Sequence, residues 1–169
     1  EKLVLELDNN MFNNLKKNIN SFPYKKDEIV ISLKPFFPQS EEESLTEMVN
    51  FLLENGIDNF IINNLGHIPL FKNRNAKIIA GEYLYTFNDY STQFLLDNGV
   101  EFMITPLENN KKNLLSLIKT FGGDRFFVTI FAYPKLFRIG ADLTKIYDFK
   151  NITDNHDNLF HIKWNGDET

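Results

Sequence analysis

Ten polar residues fall where a chain of βα units would place chemistry. Parallel α/β sheets bind ligands at the carboxyl ends of their strands. That rule selects Asp8, Lys34, Asn63, Asn64, Glu82, Tyr83, Thr105, Glu108, Tyr133 and Lys135. Glu82 and Glu108 are candidates for a carboxylate pair serving acid–base catalysis or a metal, with His67 as a third ligand or a base. Lys34, Asn64, Tyr83, Asn88, Thr105 and Tyr133 are the candidate substrate contacts. The plainer alternative stays open. Loop carboxylates are commonly solvated, and Glu108 also suits the start of a helix. His156 and His161 fall in a turn-rich tail and read as surface residues. Asp154 and Asp157 resemble a calcium loop only in composition, because the Gly and closing Glu are missing.

Other chemistries lack their motifs. The chain has no GxGxxG, no Walker-type loop, no GxSxG and no HExxH. It has no cysteine, which excludes disulfides, thiol catalysis and cysteine-bound zinc or iron–sulfur clusters built from this chain. Asn151-Ile152-Thr153 is a formal glycosylation sequon, read as chance. The net charge of −5 disfavours nonspecific nucleic-acid binding. No apolar run approaches the ~18 residues of a membrane span. With 169 residues, 43% of them hydrophobic and 17 of them Phe, the chain has ample material for a core. A cytoplasmic α/β protein is expected. Asparagine makes up about one residue in eight, scattered along the chain, and reads as base composition rather than chemistry. The chain opens on Glu1 without a signal-like lead, so it is expected to be processed, trimmed, or part of a longer protein.

The elements that must position these residues alternate. Leu3 to Leu7 reads as a strand, and Asn9 to Phe22 as a helix with Phe12, Leu15, Ile19 and Phe22 on one stripe. Ile29 to Leu33 is a β-branched strand. Ser40, followed by three glutamates with Glu43 at the capping-box position, predicts a helix start. Leu45, Met48, Val49, Leu52 and Leu53 form its buried stripe, and Gly56 its stop. Phe60 to Ile62, Lys77 to Ala80, Phe102 to Ile104 and Phe126 to Phe131 are further strands. Ile68 to Phe71 reads as a short helix or turn. Asp89 is expected to cap a helix holding Tyr90, Phe94 and Leu95, and Leu114, Leu117, Ile118 and Phe121 mark the next.

A local echo supports the chaining of βα units. The run Phe51 to Asp58 matches Phe94 to Glu101 nearly letter for letter, each a helix end, a glycine stop and a strand entry. About six units are counted, where a closed (β/α) barrel takes about 250 residues. The expectation is therefore α/β: a partial TIM-barrel-like (β/α) domain with parallel strands over residues 1–169, plus a terminal β-hairpin at 145–164.

Several short motifs also resemble the collagenase-like U32 peptidase family. They are Asn64-Leu65-Gly66 after a strand, Leu84-Tyr85-Thr86-Phe87-Asn88, Thr105-Pro106, Tyr133-Pro134-Lys135-Leu136-Phe137, and the tail Asp154 to Phe160. They run in order from about Ile29 to Ile162. The resemblance implies a TIM-barrel-like domain and peptidase activity on a peptide substrate. It also implies kinship with hydroxylases of ubiquinone precursors and RNA bases that use a cysteine-bound iron–sulfur cluster. The chain departs from the family at its polar positions. Arg138 to Asp142 stands where the cysteines would be, Gly81 where the family has an acid, Tyr85 where it has Asn, and Leu107 where it has Glu. The cofactor is thereby left open. Two readings follow: a degenerate domain that completes a larger protein or docks a partner, and an active peptidase using Glu82, Glu108 or His67 with a metal or activated water.

Overall fold

The computed structural model describes residues 1–132, 139–147 and 151–164. Two compact units form, Glu1–Ile130 and Phe131–Thr169. In the first, six strands lie in sequence order: β1 (Leu3–Glu6), β2 (Ile29–Ser32), β3 (Asn59–Ile62), β4 (Lys77–Ala80), β5 (Val100–Ile104) and β6 (Phe126–Phe127). Every neighbouring pair is parallel, with Leu5 opposite Ile31, Ile31 opposite Phe60 and Phe60 opposite Ile78. Parallel crossovers are right-handed, so an unbroken order sends each connection over the same face. The sheet is accordingly α/β and curled as a half-barrel, as the alternating elements imply.

The helices are α1 (Asn9–Asn18), α2 (Glu42–Glu54), α3 (Asp89–Asp97) and α4 (Lys111–Phe121). One core results. Ile31, Phe60, Ile62, Ala80 and Met103 from the strands pack with Leu15, Val49, Leu52, Leu95 and Leu117 from the helices. Each fully buried aliphatic side chain contributes roughly 1.5–3 kcal/mol. Phe12 and Phe51 join α1 to α2 edge-to-face at 5.4 Å.

The glycine stop of α2 is a complete Schellman motif. Gly56 takes φ +79°, its N–H donates to Leu53 O, and the N–H of Ile57 donates to Leu52 O, both at 3.0 Å. Ile57 and Leu52, the residues this geometry brings together, are both fully buried.

Several boundaries differ from the sequence reading. α1 ends at Asn18 rather than Phe22, though Ile19 and Phe22 still pack on the core. Ser40 does not cap α2. It sits inside a 3-10 turn, Gln39–Glu41, which follows Pro38 and leads straight into the helix. Asn88, not Asp89, caps α3: its Oδ1 accepts the Ser91 N–H at 2.9 Å. Tyr90 and Phe94 face solvent, 90% and 50% exposed, while Thr92 and Leu95 are buried. β6 stops at Phe127, and Val128 and Ile130 beyond it are exposed. The run Ile68 to Phe71 belongs to a longer 3-10 segment, Leu65–Phe71.

In the second unit, β7 (Asn151–Thr153) and β8 (Leu159–His161) pair antiparallel as the expected hairpin, with Lys145 in a 3-10 turn, Leu143–Lys145, ahead of it. Asp154 orders the turn by accepting the backbone N–H groups of His156 and Asn158. The Asn158 side-chain amide, with those two backbone bonds, holds its carboxyl below the usual range. Among the described residues, no helix is long and apolar enough to cross a membrane.

Candidate functional site

The carboxyl edge of the sheet is where the sequence places its candidates, and there asparagine organises the backbone. Asn63 follows β3, and its Nδ2 donates to Leu33 O at 2.8 Å and to Ser32 Oγ at 3.2 Å. That ties the end of β3 to the end of β2. On the other side the same side chain lies across β4. A Cβ on Gly81 would stand 1.8 Å from Asn63 Oδ1 and 3.0 Å from Ile61 Cγ2. Only glycine fits at 81 while Asn63 keeps this position.

Asn64 makes a second clip. Its Nδ2 donates to Pro35 O at 2.9 Å and its Oδ1 accepts the Gly66 N–H at 2.8 Å, opening the 3-10 segment that carries His67. His67 is wholly buried, and its ring stacks on Phe37 with centroids 4.9 Å apart. Its Nδ1 accepts the Asn63 N–H at 3.4 Å, which assigns the ring proton to Nε2. Nε2 is buried without a partner among the described residues. Burial lowers the pKa to about 4, so the ring is neutral at physiological pH. In this conformation the imidazole has no surface to offer a substrate, and its geometry is that of a loop anchor.

The remaining candidates are dispersed around this edge. Lys34, Glu82 and Tyr83 are half-buried, the last two in the 3-10 turn Glu82–Leu84. Thr105 is buried, with its N–H donating to Phe127 O at 2.9 Å. Glu108 is exposed on the turn before α4, and that helix is capped instead by Asn110, whose Oδ1 accepts the Asn113 N–H at 2.9 Å. Asp8 caps α1 through Met11 N–H at 2.6 Å. Asn88 caps α3. Tyr133 and Lys135 lie outside the described residues. Among the described residues no three His, Asp or Glu side chains come together to hold a metal, so Glu82, Glu108 and His67 are not assembled into one.

Some residues of this edge were not singled out by type or spacing. Phe37 covers His67, and Asn109 and Asn113 link the loops after β4 and β5: Asn113 Nδ2 donates to Phe87 O at 2.6 Å and to Asn109 Oδ1 at 2.8 Å. The density of asparagine is the one sequence signal for them, and by itself it reads as composition. Tyr85 takes a left-handed conformation at φ +48°. A bulky side chain is rarely found there. At the opposite, amino-terminal edge a cleft of about 520 Å³ is lined by Asn50, Glu54, Asp58 and Arg74 among others, and Arg74 donates to Asn50.

Comparison with protein-family models, curated proteins and solved structures gives no match for this chain, so its resemblance to the U32 peptidases rests on the motifs alone.

Proposed function

We propose that the chain is a U32-peptidase-like half-barrel that is not catalytic by itself and serves as a structural or binding part of a larger protein. One observation carries this reading. Several of the polar side chains at the carboxyl edge are committed to holding backbone: Asn63 and Asn64 clip loops, Asp8, Asn88 and Asn110 cap helices, and His67 is buried and neutral. A hydrolase needs such groups facing substrate with a tuned pKa. The partner is the rest of a longer chain or another protein, rather than nucleic acid or membrane, and the absence of cysteine suits a cytoplasmic setting.

Incubation of the purified chain with gelatin and casein tests the reading. No cleavage is expected, with or without added divalent metal. Chelator-sensitive cleavage that Glu82→Gln or Glu108→Gln abolishes would overturn it and establish the peptidase. The intact mass of the protein from its native cell tests the partner: a mass well above 19.8 kDa assigns it to the same chain.

A further inference from the structure

We infer that the carboxyl-edge surface between the loops after β4 and β5 binds a neutral saccharide through a sugar ring laid on Tyr85. The inference rests on the binding-part reading above and names its ligand. Tyr85 and Phe87 stack with centroids 5.9 Å apart and planes at 22°, and Tyr85 remains 54% exposed. Because the rings stack on one another, they present a platform rather than a slot between aromatics. A platform suits the flat C–H face of a pyranose, whereas polyproline helices dock into grooves.

Asparagine side chains tie the two loops together beside Phe87. Asn113 ties the Phe87 carbonyl to the Asn109 and Asn110 turn. Asn88 and Asn110, both exposed, use their side-chain oxygens as helix caps, which leaves each amide NH₂ without a protein partner among the described residues. Neutral donors of this kind match sugar hydroxyls. Of the exposed charges flanking it, Asp89 and Glu108 are matched in number by Lys111 and Lys112, and Glu82 lies half-buried in the loop after β4.

The platform was hidden from the sequence by the conformation of one residue. Tyr85 in the left-handed region costs backbone energy that Asn would largely avoid. The strain is retained where it turns an aromatic ring to solvent beside Phe87.

The test is an NMR titration of the ¹⁵N-labelled full chain with cellohexaose, maltohexaose and N-acetylchitohexaose, with decaproline as comparison. At least one saccharide is expected to shift the side-chain amides of Asn88 and Asn110 with millimolar saturation. Tyr85→Asn relieves the backbone while removing the ring, so it folds and weakens binding about tenfold or more. Asn110→Asp keeps the cap and deletes the donor, and weakens binding as well. Shifts by decaproline alone, no shift by any saccharide, or shifts unchanged in Tyr85→Asn would each overturn the inference while leaving the non-catalytic reading intact. Shortening of a bound hexaose would uphold the site and instead overturn the non-catalytic reading.

Discussion

The side chain of Asn63 occupies the space a side chain at residue 81 would need, with its Oδ1 1.8 Å from the position of a Cβ on Gly81. The same amide holds the end of β2 through Leu33 O. Three adjacent strand ends are therefore coupled through one residue. Overpacking of this kind costs about 1–3 kcal/mol. Gly81→Ala is expected to lose that much by urea denaturation, and much of the loss should vanish in the Asn63→Ala background. Additive losses would show that the two positions are independent.

His67 makes stability depend on pH. Its folded pKa, about 4, lies below the ordinary 6.5, so the unfolded chain binds the proton more tightly in between. The stability it confers is complete above about pH 6.5 and is lost as pH falls toward 4, a total of up to about 3 kcal/mol. Urea denaturation at pH 7.5 and 4.5, compared with His67→Gln, isolates this share from that of the carboxylates. An equal pH slope in both proteins would rule it out.

The caps give a paired prediction. Asn110→Ala loses the bond to Asn113 N–H and is expected to cost about 1 kcal/mol, while Asn110→Asp is close to neutral. Ser40→Ala is expected to change stability by less than about 0.5 kcal/mol, because Ser40 is not the cap of α2. Thermal melts of the three variants decide both points.

Asp154→Ala removes the acceptor that orders the β7–β8 turn. Faster hydrogen exchange at the His156 and Asn158 amides, with the core amides of β3 unchanged, is the expected result. Unchanged exchange at those two amides would show that the turn is ordered without Asp154.

The sheet was legible in the sequence because its signals are local. A run such as Ile29 to Leu33 is long, apolar and β-branched enough to be a strand wherever it lies. The stripe Leu45, Met48, Val49, Leu52 and Leu53 requires a buried helix face, and Gly56 carries the positive φ that ends it. Strand order follows nearly as directly, since short helical crossovers of one hand place successive parallel strands side by side. Caps were harder: Ser40 and Asp89 are as good as their neighbours by propensity, and the competition is settled by a turn's geometry over one or two residues.

The carboxyl edge was decided by the tertiary structure. His67 in a loop reads as a base or ligand, and it became a buried neutral anchor because Phe37, thirty residues away in the chain, covers it. Asparagine scattered through the sequence reads as composition until β2, β3 and β4 bring Ser32, Asn63 and Gly81 together. Periodicity and stop signals are properties of consecutive residues, so the sequence by itself determined the elements and their order. Burial, partnership and pKa are properties of neighbours distant in the chain. They exist only once the sheet has brought its strand ends side by side.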